Sequence, residues 1–171
     1  MTIHSEHPFL PPDDDRRPVR RLRGRLTAPV TVLATGAGAG RAGLTVSSLL
    51  VVDGEPATVL ALVDDESAFA EALPGAGTAA LSVLGWEQRL VADVFAGEAP
   101  SPGGPFRTGS WTDSAWGPVL TGCPAWAGCR AADGPRRRVG WSLLVELTVE
   151  HVEIGPDDGG MAHRRGRYLQ V

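Results

Sequence analysis

Few residues in this chain have the types and spacing that chemistry needs, and most of those fail on context. Gly38-Ala39-Gly40-Arg41-Ala42-Gly43 matches G-x-G-x-x-G. In a dinucleotide-binding fold such glycines open a helix whose N-terminal amides meet a pyrophosphate. Here Leu44-Thr45-Val46-Ser47-Ser48 follows, a run that prefers a strand, and no acidic residue closes a βαβ unit. The glycines are expected to connect two strands instead. Cys123 and Cys129 have no second Cys or His pair at zinc spacing. His4 and His7 sit near the N-terminus, and His151 and His163 stand alone. Neither a metal site nor a Cys–His pair is expected. No serine occupies a G-x-S-x-G elbow. Arg136-Arg137-Arg138 reads as a solvated hairpin loop or an anion contact, with the solvated loop preferred. Thr45 to Ser48, taken alone, reads as a half-buried strand.

The elements that must position these residues are mostly strands. Residues 1–18 are polar and proline-bearing and read as a flexible tail, leaving 19–171 as one domain. Arg16-Arg17 and Arg20-Arg21 read as a helical face or a solvated arm, with the solvated arm preferred. Val30 to Thr35 is a β-branched run bounded by glycines, Leu44 to Val52 is a second, and Ala57 to Val63 a third after an Asp-Gly turn. Asp64-Asp65-Glu66-Ser67 supplies N-cap chemistry for a short helix through about Leu73, which Pro74-Gly75 is expected to stop. Thr78 to Leu84 is a strand, and Trp86 to Phe95 has helical spacing with Gly97 beyond its end. Residues 98–122, rich in Gly, Pro and Ser, read as a long loop around Phe106, Trp111 and Trp116 that is functional or packs through its aromatics. Pro124 to Ala131 and Arg138 to Ile154 close the chain as strands, the second long enough to hold a bulge, and Tyr168 to Val171 can add a short one. Six or seven strands that do not alternate with long helices favour a mainly β, antiparallel barrel with two or more short helices.

Composition narrows the class. The chain has 171 residues, 43% hydrophobic and 21% charged, as a single globular domain would. Its net charge of -4 argues against a nucleic-acid binder built on a basic face. No apolar run approaches the ~20 residues of a membrane span, and the N-terminus lacks the pattern of a signal peptide. A cytoplasmic protein with no membrane partner is expected.

Six segments, in one order, resemble the flavin reductase-like family. They are Val30 to Thr35, Gly43-Leu44-Thr45-Val46-Ser47-Ser48, the turn at Pro56 with its following strand, and Ser67 just after that strand. Leu81-Ser82-Val83-Leu84 with Gln88 and Phe95-Ala96-Gly97 is the fifth, and Arg165-Gly166-Arg167-Tyr168 the sixth. The resemblance covers about residues 19–171. It implies a Greek-key split β-barrel that binds FMN, or FAD. It also implies hydride transfer from the nicotinamide C4 of NADH or NADPH to flavin N5, in a homodimer that hands reduced flavin to a partner monooxygenase.

The residues suit that implication. A flavin needs hydroxyls and amides for its polar edge and an apolar wall for its ring, and Thr45, Ser47 and Ser48 alternate with Val46 and Leu49 along one strand. Ser67 near a helix N-terminus can meet a phosphate, and Arg41 and Arg167 can add charge-assisted bonds. The expected cofactor-binding set is Arg41, Thr45, Val46, Ser47, Ser48, Ser67 and Arg167, with no acid–base catalytic residue and no metal ligand. Several positions depart from the family's pattern. Asp64-Asp65-Glu66 stands where many members carry Arg or Lys near the phosphate, so a different arginine must compensate. Ser82 replaces an Asn, Val139-Gly140-Trp141 lacks the expected His, and Leu169 rather than His follows Tyr168. Two competing readings follow from these departures. One is a flavin carrier or redox sensor without reductase activity. The other is a cofactor-free barrel that docks partners through the tryptophans of the long loop.

Overall fold

Strand β2 (Thr31–Thr35) is buried along its whole length and shows how the molecule is built. Alternate side chains on a strand point to opposite faces. Leu33 therefore enters one core, with Val46, Val59, Val63, Phe69 and Leu147. Val32 and Ala34 enter a second, with Leu84, Val91, Phe95 and Leu120. A sheet covered on both faces needs apolar residues at successive positions, as Thr-Val-Leu-Ala-Thr supplies.

The structure is a computed structural model and describes residues 18–156 and 159–171. The expected tail, with His4 and His7, lies outside the described residues except for Pro18. The elements are α1 (Pro18–Arg25), β1 (Ala28–Pro29), β2, β3 (Ala42–Val46), β4 (Leu49–Val52), β5 (Thr58–Val63), α2 (Ala68–Ala76), β6 (Thr78–Val83) and α3 (Arg89–Phe95). After these come β7 (Trp111–Ser114), β8 (Gly117–Leu120), β9 (Ala125–Ala131), β10 (Arg137–Val139), β11 (Ser142–Ile154), β12 (Met161–Arg164) and β13 (Arg167–Gln170).

An eight-stranded antiparallel sheet runs in the order β3-β2-β6-β9-β11-β5-β4, with β10 beside β11. Strands β3 and β4 lie at opposite ends of that path yet are neighbours in the chain, joined by Ser47-Ser48. The Leu62 N–H donates to the Ser48 carbonyl at 2.9 Å, so the curled sheet returns on itself at this joint. This is a split β-barrel. A three-stranded sheet, β1-β12-β13, and the β7–β8 hairpin complete it.

Several elements differ from their expected form. Leu44 to Val52 is two strands, because β3 pairs with β2 while β4 pairs with β5. The arginine arm is helix α1. Helix α2 runs past Pro74 to Ala76, capped by Gly77 at φ 71° whose N–H donates to Leu73 O. Proline offers no N–H to the carbonyl four residues back, and that carbonyl, Ala70 O, accepts from the Arg136 guanidinium instead. Arg136 is thus not merely solvated. Residues 98–122 are not one loop, since they contain the β7–β8 hairpin. Its tryptophans are half-buried rather than displayed. Trp111 packs 5.1 Å from Phe95, and Trp116 stacks on His151 at 5.1 Å. Arg138 to Ile154 is likewise two strands, β10 and β11 paired across a turn at Gly140-Trp141, and β11 carries the bulge, with Glu150 the extra residue between Val149 and His151.

Candidate functional site

A cleft of about 410 Å³ lies along the joint between β3 and β4. All six residues from Gly43 to Ser48 line it. Leu62, Val63 and Asp64 at the end of β5 add to it, with Ser67 at the start of α2. Phe95-Ala96-Gly97 at the end of α3, and Arg23 from α1, complete the lining. Leu44, Val46, Leu62, Val63 and Phe95 give apolar surface, the serines give hydroxyls, and Arg23 is the cation among the lining residues.

Local contacts explain the shape. A Cβ on Gly43 would stand 2.9 Å from the Phe95 ring and 3.0 Å from Leu33 O, so glycine lets the ring lie against the strand. Thr45 Oγ1 donates to Ala92 O at 2.7 Å and pins β3 to α3. Ser67 is a helix cap, since its Oγ donates to Asp64 O at 2.6 Å and accepts from the Ala70 N–H at 3.2 Å. The hydroxyls of Ser47 and Ser48 have no hydrogen-bond partner among the described residues, which leaves them available to a ligand. Ser82, where the family's pattern has Asn, accepts from the Leu120 N–H at 3.1 Å and ties β8 to β6.

The end of α3 is braced from the C-terminal sheet. Tyr168 Oη donates to Asp93 Oδ1 at 2.8 Å. Burial first, and then this bond, push the tyrosine pKa well up, so the hydroxyl keeps its proton and the strut persists at neutral pH. The acidic run is partly offset. Asp65 is ion-paired with Arg138, and Asp64 accepts the Glu66 N–H at 3.0 Å. Asp64 remains a negative charge at the cleft.

The structure therefore brings together Thr45, Val46, Ser47, Ser48 and Ser67, and it does not bring Arg41 or Arg167 to the cleft lining. Arg41 donates to Asp113 of β7 at 2.7 Å, near the Phe106 ring, and Arg167 is exposed on β13. Arg23 lines the cleft although sequence reasoning gave it no role, and Asp64, expected near the phosphate, and Phe95, quoted only as part of a matching segment, line it too. Phe95-Ala96-Gly97 was legible through the resemblance, whereas Arg23 was hidden in a segment read as a solvated arm. Pro18 at the first helical position, with Arg and Leu making up most of the turns after it, was the available signal for α1.

A split antiparallel barrel whose joint opens into a part-apolar, hydroxyl-lined cleft has the concave, mixed lining of small-molecule sites. Residues 23–171 match the family model described as "Flavin reductase like domain", and the chain belongs to this family. Among curated relatives, it is 27% identical over 161 residues to the 4-hydroxyphenylacetate 3-monooxygenase reductase component of Salmonella typhimurium. That match covers 93% of this chain and 94% of the relative. It is 32% identical over 120 residues to the FMN reductase (NADH) RutF of Ancylobacter novellus, covering 70% of this chain and 66% of that one. Among solved structures, the NADH:FAD oxidoreductase SgcE6 of Streptomyces globisporus superposes with a TM-score of 0.80 at 27% identity, covering 95% of this chain and 96% of the other.

Proposed function

We propose that this protein is a flavin reductase that takes electrons from NADH or NADPH and supplies reduced flavin to a partner monooxygenase. The observation that carries the reading is the lining of the cleft. The family-matching segment Gly43–Ser48 forms one continuous part of it, with Ser67 and Phe95 added from distant positions. The volume falls within the ~300–1,000 Å³ usual for small-molecule sites. The lining fits a flavin, with an apolar surface for the ring and free hydroxyls for polar edges. FMN and FAD both remain within the proposal, because relatives are named for each.

When bound, the flavin supplies the hydride acceptor, and the protein's part is binding, orientation and electrostatics. Phe95 against Gly43 and the Leu44–Val46 strand hold an apolar face. Ser47 and Ser48 offer hydrogen bonds at the joint. No residue of the lining is assigned as an acid or base.

The test is oxidation of NADH and NADPH by the purified protein with added FMN or FAD, followed by nicotinamide absorbance. Oxidation well above that with free flavin alone is expected. Flavin bound without oxidation would overturn the reductase in favour of a carrier or sensor, and no flavin binding would overturn both.

The proposal includes a homodimer in the cytoplasm, where the nicotinamide pool is held. Support for the dimer is the exposed apolar surface of Leu50, Val51 and Val52 on edge strand β4 and of Val19 and Leu22 on α1. Light scattering that gave a monomer would remove that part.

A further inference from the structure

Arg23 reaches the cleft from a helix that has no buried residue. Arg41, Arg130 and Arg138 are each held by a carboxylate, but among the described residues none pairs with Arg23. A helix that contributes nothing to either core needs another anchor, and the turn between β12 and β13 supplies one. The Arg165 N–H donates to Gly24 O at 3.0 Å, and Arg164 Nε donates to Arg25 O at 3.2 Å. Carbonyls in the last turn of a helix have no partner within it, so these two bonds cap α1 from outside. The turn places Arg165 at φ 53° and Gly166 at φ 75°, consecutive left-handed residues of the kind a tight hairpin requires. Gly166 adopts that conformation without strain, and the closed hairpin presents its donors to α1.

The charges at the cleft point the same way. Asp64 is the carboxylate in the lining and would repel a phosphate, while Arg23 is the cation there. A guanidinium offers paired N–H donors that match a phosphate's oxygens. Resting on the flavin reading above, we propose that Arg23 binds the phosphate of the flavin nucleotide, and that the Arg164–Gly166 turn is a positioning device that holds α1 so that Arg23 can do so. The C-terminal Arg-Gly-Arg-Tyr motif then serves the ligand through α1 rather than through direct contact by Arg167.

The experiment is a titration of the full chain with FMN and with riboflavin, which lacks the phosphate, read by flavin fluorescence. Arg23→Gln is expected to weaken FMN binding about tenfold, the lower end for a charge-assisted hydrogen bond at an exposed site. Riboflavin binding should not change. Arg23→Lys should recover part of the loss. Arg164→Met, which removes one of the two caps, should weaken FMN less, again without touching riboflavin. Rising salt should erode wild-type FMN affinity and leave riboflavin affinity flat. Equal weakening of both flavins, or FMN binding unchanged in Arg23→Gln, would overturn the assignment. So would a loss seen only in the use of NADPH against NADH, which would give Arg23 to the nicotinamide donor. A wild-type protein that bound neither flavin would overturn the flavin reading itself.

Discussion

The cleft and the outer wall formed by β9 and β11 use similar residue types in opposite ways. On the wall, Trp116 and Trp126 pack around His151, with ring centroids 5.1 and 4.7 Å from the imidazole. Their indole N–H groups are taken. Trp116 donates to Glu150 at 2.7 Å and Trp126 to Glu153 at 3.1 Å, while Arg130 also binds Glu150. In the cleft, the hydroxyls of Ser47 and Ser48 and the guanidinium of Arg23 hold no partner among the described residues. The wall has turned its indole N–H groups and carboxylates on one another, and the cleft has spent Thr45 and Ser67 on its own frame while keeping Ser47, Ser48 and Arg23 open. Aromatic richness alone therefore does not mark a site. Unspent hydrogen-bonding capacity beside apolar surface does.

Substitutions can break this comparison. Phe95→Ala should have the largest effect, about 3–5 kcal/mol of stability, because Phe95 packs on Phe106 and Trp111 and also lines the cleft. Chemical denaturation should show it, and flavin affinity should fall with it. Gly128→Ala strikes the wall alone, since the new Cβ would stand 2.2 Å from the Trp116 ring. A stability cost of about 1–3 kcal/mol is expected with flavin affinity unchanged, and a parallel loss of affinity would refute the separation of the two regions. The Ser47→Ala, Ser48→Ala double variant should do the reverse. Stability should stay within about 0.5 kcal/mol, while flavin affinity weakens by about 1 kcal/mol for each lost hydrogen bond, measured by titration.

The smallest effect concerns acid. Hydrogen bonds from Arg130 and then Trp116 hold the Glu150 carboxyl below its ordinary value of 4.5. A depressed pKa means that the stabilisation is present above that value and is lost as pH falls through the folded-state pKa. Glu150→Gln should accordingly flatten the acid limb of the stability–pH profile without moving flavin affinity. An unchanged acid limb would show that the pair contributes nothing measurable to the wall.

Much of the site was legible before the fold. Thr45, Val46, Ser47, Ser48 and Ser67 all line the cleft, because they belong to a matching segment and to a helix cap, both local features. Arg41 was placed by proximity in sequence, and its partner Asp113 is 72 positions away, beyond the reach of any local pattern. The tryptophans of residues 98–122 could be read as packed or as displayed, because composition reports a loop's residues but not what covers them, and the structure packs them.

Sequence by itself determined the antiparallel β character, the N-terminal cap of α2 at Ser67 and the family, since these rest on periodicity, backbone preference and ordered local motifs. Tertiary structure alone decided that Leu44 to Val52 breaks at Ser47-Ser48, because a strand's partners come from elsewhere in the chain. It alone brought Arg23 to the cleft, through a helix end capped by residues 139 or more positions away in sequence. Which polar groups are spent and which stay free is likewise a property of partners in space, and the capacity of this cleft to bind depends on it.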